Sequence, residues 1–140
     1  MTRTQMAGVF ERRRDAWNRH DAAGLTVDYA ENGTLTSPYA GCVIGHAAIE
    51  TVYRSLFTAF PDLQCENESL VVEGDQVAQF FSITGTHSGE FMGMPATGRR
   101  FECHMASLYT IGDDRIRSET RVYDFSGLLI QVGVLKAKPA

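Results

Sequence analysis

Apolar residues recur with one period before Pro61 and with another after it, and this change limits the possible folds more than any other feature of the chain. In the first half Met6, Val9, Phe10, Arg13, Trp17 and His20 stand near helical spacing. Ile49, Val52, Tyr53, Leu56, Phe57 and Phe60 keep an i, i+3, i+4 stripe that Pro61-Asp62 breaks. The spacing predicts a helix over 6–20, a short helix over 21–29 ended by Asn32-Gly33, a strand over 34–37, and a third helix from just after Gly45 to Phe60. Beyond Pro61 the period is that of strands, over 64–72, 76–87, 100–111 and 115–123, turned at Glu73-Gly74-Asp75 and Gly112-Asp113-Asp114. Helices followed by an antiparallel meander predict an α+β fold, a curved sheet with one face under the helices and the other free for a partner subunit.

At 140 residues, with no internal repeat or Pro/Ser linker, the chain is expected to form one domain over residues 1–140. Four long strands and one helical layer leave either a cavity or a core filled by aromatics. The eight Phe, five Tyr and five Met suit an aromatic, Met-adapted pocket. A net charge of −4, with Arg12, Arg13 and Arg14 as the only dense basic run, argues against nucleic acid. No stretch reaches the roughly 18 to 20 apolar residues of a membrane span, and the N-terminus lacks a signal-peptide layout, so a soluble, cytoplasmic protein is expected. Cys42, Cys65 and Cys103 form no CxxC pair and read as reduced, core-filling thiols. His20, His46, His87 and His104 have no metal-binding spacing, so no metal is expected. No phosphate-binding glycine loop follows a strand, and Ser88 and Ser126 lack a nucleophile elbow.

The segment from Gly85-Thr86-His87-Ser88-Gly89 through Phe91-Met92-Gly93-Met94-Pro95 to Phe101 resembles the signature of the SnoaL-like polyketide cyclase family, within the nuclear-transport-factor-two-like superfamily. Trp17-Asn18-Arg19-His20-Asp21, Gly45-His46, Phe60-Pro61-Asp62-Leu63, Glu73 to Ala78 and Tyr123 to Gly133 resemble its other blocks in order, so the likeness runs from about Met6 to Gly133. The resemblance implies a conical α+β barrel around an apolar cavity, frequent homodimers, and chemistry on aromatic polyketides without metal or tightly bound cofactor. In cyclases of the family an aspartate on the last strand acts as acid/base and a histidine on the preceding strand assists. An ungapped alignment from Gly85 to Gly133 puts Arg121 and Ser107 at those two positions.

A guanidinium stays protonated and cannot take the proton α to a carbonyl, so Arg121 is read as a holder of an enolate, phenolate or carboxylate oxygen. Strand alternation puts Glu119 and Tyr123 on the face of Arg121, with Cys103, Met105, Ser107 and Tyr109 on the matching face next door. Glu119 either supplies the missing carboxylate or only pairs with Arg121. His87 either orients a polar group at the cavity mouth or fixes its own loop; His104 should face away, and Asp124 should cap a short apolar turn. The catalytic candidates are Arg121, Ser107, Glu119 and His87. The residues expected to touch substrate are Trp17, Tyr53 and Phe57, the lid-like Phe91, Met92 and Met94, and Met105, Tyr109 and Tyr123. Three functions are open: a cyclase-like enzyme of aromatic polyketide metabolism, a cofactor-independent hydroxylase served by a separate reductase, and a non-catalytic binder of a hydrophobic aromatic molecule.

Overall fold

A computed structural model describes residues 1–136. The first helix, α1 (Arg3–Asn18), starts at a reciprocal capping box in which Thr2 Oγ1 accepts from the Gln5 amide and Gln5 Oε1 accepts from the Thr2 amide. Its buried stripe is Met6, Phe10, Arg13, Ala16 and Trp17, a helical spacing with one charged member. The second helix, α2 (Ala22–Thr26), is shorter than expected. Asp21 caps it through the Gly24 amide, and Arg13 Nη1 takes the Leu25 carbonyl at 2.8 Å, satisfying its last turn from outside.

Tyr29, expected on that helix, instead begins β1 (Tyr29–Ser37), and Asn32-Gly33 lies within β1 rather than ending a helix. The strand is irregular between Tyr29 and Thr34. A Cβ at Gly33 would stand 2.9 Å from the Ala30 carbonyl oxygen and 3.0 Å from that of Ile116, so the irregularity needs glycine. A short edge strand, β2 (Gly41–Ile44), has no counterpart in the sequence reading; it is four residues long and too exposed to alternate. The third helix, α3 (His46–Ala59), follows Gly45, which takes a φ of 89°.

The remaining strands are β3 (Gln64–Glu73), β4 (Gln76–Thr86), β5 (Arg100–Gly112) and β6 (Arg115–Val122), followed by α4 (Phe125–Gln131). They form one curved six-stranded sheet ordered β2-β1-β6-β5-β4-β3. The sheet is not wholly antiparallel: β1 runs parallel to β6, because the connection between them carries the whole of α3 and the meander. Along β5 Phe101, Cys103, Met105, Ser107, Tyr109 and Ile111 are buried while the alternate residues face outward. The inner face packs under α1 and α3.

Several of the blocks that carry the family resemblance are joints of this frame. Asn18 exchanges two hydrogen bonds with the backbone of Cys65, and His20 Nε2 meets the Leu63 carbonyl at 2.9 Å, fastening α1 to the start of β3. Asp62 accepts from both the amide and the hydroxyl of Thr86 at 2.7 Å. Asp124 caps α4 through the Gly127 amide, as expected, and Gln131 bonds both backbone groups of Glu102.

Candidate functional site

Register across β5 and β6 sets Ser107 opposite Arg121 and Tyr109 opposite Glu119, all on the inner face. Glu119 has no solvent exposure and Arg121 has 4%. Arg121 Nε donates to Glu119 Oε2 at 3.0 Å, Ser107 Oγ donates to the same oxygen at 2.7 Å, and the Tyr29 hydroxyl donates to Oε1. Arg121 Nη2 and Arg13 Nη2 both donate to the Tyr53 hydroxyl at 3.1 Å, and Tyr53 lies 2.9 Å from the Tyr29 hydroxyl. Because Tyr29 commits its proton to Glu119, Tyr53 directs its own to Tyr29. The order of donation therefore runs from two guanidiniums through Tyr53 and Tyr29 to one carboxylate.

The electrostatics follow from this order. Burial alone would push the Glu119 carboxyl up, but Arg121, Arg13 and the bonds from Tyr29 and Ser107 outweigh it and hold the carboxyl below its ordinary range. Burial likewise opposes the charges of Arg13 and Arg121. Neighbouring oxygens, led by that of Tyr53 for Arg13 and the Glu119 carboxylate for Arg121, keep both firmly protonated. Tyr29 and Tyr109 are pushed up by burial and by Glu119, so both remain phenols. Arg13 continues outward to Asp28 at 2.9 Å, which Arg12 also engages at 2.7 Å. The buried guanidiniums of Arg13 and Arg121 are thus balanced by Glu119 and Asp28, and Arg12 adds its charge at the solvent edge.

Arg121 is where this network meets apolar space. A cavity lined by Trp17, Leu56, Phe60, Leu63, Ile83, Phe91, Phe101, Met105, Arg121, Tyr123, Phe125 and Leu128 includes its side chain. The guanidinium carbon lies 5.3 Å from the centre of the Trp17 ring and 5.6 Å from that of Tyr53, cation–π distances that fix its plane. Nη1 alone has no hydrogen-bond acceptor among the described residues. The enclosed space is about 20 Å³, room for about one water. The expected apolar cavity thus has its walls but is nearly filled, with Phe60, Phe91, Phe101 and Met105 packed into it. Larger surface grooves, such as the one of about 390 Å³ between Arg14 and Thr84, are open and share no residue with it.

Of the residues predicted to touch substrate, Trp17, Phe91, Met105 and Tyr123 line this cavity, as does the catalytic candidate Arg121. Tyr53 is fully buried behind Arg121, and Tyr109 turns its hydroxyl to Gln79 at 2.9 Å. Phe57 stacks on His20 with ring centres 4.8 Å apart. Met92 and Met94 are exposed on the loop and lie outside the cavity. Ser107 and Glu119 stand behind Arg121 as its anchors. The ion pair of Glu119 with Arg121 is present, and both oxygens of Glu119 already accept hydrogen bonds. His87 is wholly buried; its amide donates to the Arg99 carbonyl, its carbonyl accepts from the Gly98 amide, and its ring lies 3.0 Å from Thr97 Oγ1. His104 faces outward and meets Glu68 at 2.8 Å. Arg13, Tyr29 and Gln79 also belong to the buried polar network, and the sequence signal for it is a charged residue, Arg13, on the apolar stripe of α1.

A conical α+β frame that encloses a guanidinium-lined apolar site defines a class, and comparison with known proteins agrees with it. The sequence model of the SnoaL-like polyketide cyclase family matches residues 7–132, and the chain belongs to that family. It is 33% identical over 103 residues to nogalonic acid methyl ester cyclase of Streptomyces nogalater, covering 74% of this chain and 72% of that one. A shorter match, 38% over 60 residues, is with an aklanonic acid methyl ester cyclase of Streptomyces peucetius and spans 43% of this chain and 41% of that one. The structure is also similar to that of AclR, a candidate hydroxylase of Streptomyces galilaeus, with a TM-score of 0.84, 28% identity, and 99% and 87% of the two chains covered.

Proposed function

We propose that this protein is an enzyme of aromatic polyketide-type secondary metabolism, and that Arg121 holds the oxygen of an enolisable or phenolic polycyclic substrate on which negative charge develops. The observation that carries this reading is a buried, ion-paired guanidinium that lines an apolar cavity and has no hydrogen-bond acceptor for its Nη1 among the described residues. Such a donor is worth far more in a dry site than in water and needs no reorganisation when charge appears. Glu119 fixes the plane and charge of Arg121; with its pKa depressed and three donors upon it, it is a poor proton acceptor. Among the cavity-lining residues there is no carboxylate or imidazole. The reading therefore takes a substrate acidic enough, a phenol or a 1,3-dicarbonyl, to lose its proton to solvent. In ring closure the resulting enolate carbon adds to a carbonyl of the same molecule: a C–C bond forms, the carbonyl π bond breaks, and the new alkoxide takes a proton.

The same lack of an internal base favours a second reading, cofactor-independent hydroxylation, which likeness to AclR also supports. There a substrate reduced by a separate reductase supplies two electrons to dioxygen; one oxygen atom enters the ring and the other leaves as water. Incubation with nogalonic acid methyl ester, in air and under nitrogen, with and without a quinone reductase and its reduced nicotinamide, separates these readings. An isomer formed without oxygen supports ring closure. Oxygen-dependent gain of one oxygen atom supports hydroxylation instead. Binding without turnover overturns both and leaves a ligand-binding domain. The outer face of the sheet, which carries Phe80, Leu108 and Val122, is assigned in the same proposal to a second copy of the chain.

A further inference from the structure

Among the described residues, His87 Nε2 is the one wholly buried side-chain nitrogen or oxygen without a hydrogen-bond partner. The other ring nitrogen lies 3.0 Å from Thr97 Oγ1. That hydroxyl accepts from the Arg99 amide and keeps a proton it can give to Nδ1; the tautomer that takes that proton carries its own on Nε2, and we take this one. A donor buried without an acceptor costs about 1–3 kcal/mol, a cost the closed structure bears. Its ring packs against Phe60 and Phe91, with centres 6.0 and 6.2 Å away, and both phenylalanines are walls of the cavity that contains Arg121.

Phe91 is held in an unusual way. It opens a two-residue hairpin, pairing with Met94 through bonds of 3.1 and 2.9 Å, in which Met92 takes a φ of 54° and Gly93 one of 77°. Every residue from Met92 to Arg100 is exposed, so within this hairpin Phe91 is the only buried side chain. It also fills the space that a ligand needs. A flat polycycle cannot enter about 20 Å³, whereas the site of one aromatic ring is on the order of 150 Å³. The place Phe91 occupies is bounded by Tyr39, Phe60 and His87.

We propose that Phe91 is a displaceable plug, and that His87 Nε2 is the donor it hides, taken up by a carbonyl or hydroxyl oxygen at the end of the ligand remote from Arg121. This rests on the reading that the cavity binds an oxygenated aromatic, and it adds a second point of recognition: the ligand carries oxygen at two separated positions of a flat ring system. His87 is here a binding residue with no proton to transfer.

The test uses alizarin, a three-ring dihydroxyquinone whose colour shifts when its phenol ionises. Stopped-flow absorbance follows its binding, and nitrogen-15 NMR follows His87. With wild-type protein, alizarin is expected to bind with the phenolate shift that Arg121 favours and to move the His87 Nε2–H resonance. Phe91→Ala should speed association about tenfold, His87→Phe should weaken binding about tenfold, and His87→Gln, which keeps an N–H donor, should retain most of the affinity. If alizarin binds with its colour shift while the Nε2–H resonance stays still and Phe91→Ala leaves the association rate unchanged, the plug and its donor are overturned and the Arg121 reading stands. No binding by wild type or Phe91→Ala overturns both. Because the NMR arm uses the unaltered chain, a poorly folded variant does not remove the test.

Discussion

Glu119 lies without solvent exposure between two guanidiniums, and the stability of the site depends on its charge. Glu119→Gln keeps the shape but leaves Arg121 with no opposing carboxylate, and removing one partner of a buried pair costs about 3–5 kcal/mol. Urea unfolding should show that loss, and the double variant Glu119→Gln/Arg121→Met should recover much of it; equal stability of the single variant and wild type would remove the pair from the core's energetics. The pH dependence has a definite sign. A folded-state pKa below the unfolded value of about 4.3 stabilises the protein above that pH and ceases to as pH falls through the folded value. The urea midpoint should hold steady from about pH 5 to 8 and drop in acid, less steeply in Glu119→Gln. Arg121→Lys keeps a positive charge but loses the planar fork. It should lower turnover about 10²- to 10³-fold if Nη1 serves the substrate, and unchanged turnover would remove Arg121 from the reaction. Arg121→Ala is a poorer probe, since it also strands Glu119.

At the scale of elements, the loop that carries Phe91 is seated on the end of α3 by Ser88 and Gly89, whose amides both reach the Ala59 carbonyl at 3.1 Å. A Cβ at Gly89 would run into the Thr58 carbonyl oxygen, a backbone atom that cannot move aside alone. Gly89→Ala should cost about 1–3 kcal/mol, read as a lower thermal midpoint, with the Nε2–H of His87 exchanging faster as the loop lifts. The long elements were legible because each buries one face: the stripes of α1 and α3 and the alternation of β4, β5 and β6 follow from that. Where another part of the molecule decides, sequence fails. Tyr29 reads as helical beside Leu25, but its hydroxyl is claimed by Glu119, which lies ninety positions on. Likewise β2 is too short to alternate, and its pairing with β1 is a tertiary fact. Arg13 stands in the apolar stripe, yet it is also the middle member of the basic run Arg12-Arg13-Arg14, and only packing separates its buried role from that of its neighbours.

For the whole molecule, the order of helices and strands was enough to indicate an α+β frame, while its parallel β1–β6 contact and filled interior needed coordinates, since both arise from long-range packing. The outward face of the sheet leads to the last prediction. Cross-strand register sets Phe80 beside Ala106 and Ala106 beside Val122, and sets Leu108 between Ala78 and Thr120. Phe80, Leu108 and Val122 are each about half exposed, at 48%, 47% and 56%, and they form a patch across three neighbouring strands rather than scattered single residues. A stable dimer needs about 800 Å² per partner, so the patch must sit at the centre of a wider contact across these strands. Leu108→Glu puts a charge at its centre without touching the inner face, where Ser107 and Tyr109 point the other way. Light scattering coupled to size exclusion should find a dimer of the wild type and a monomer of Leu108→Glu with unchanged far-ultraviolet circular dichroism. A wild-type monomer at high concentration would leave this face to solvent and end the assignment of a second copy to it.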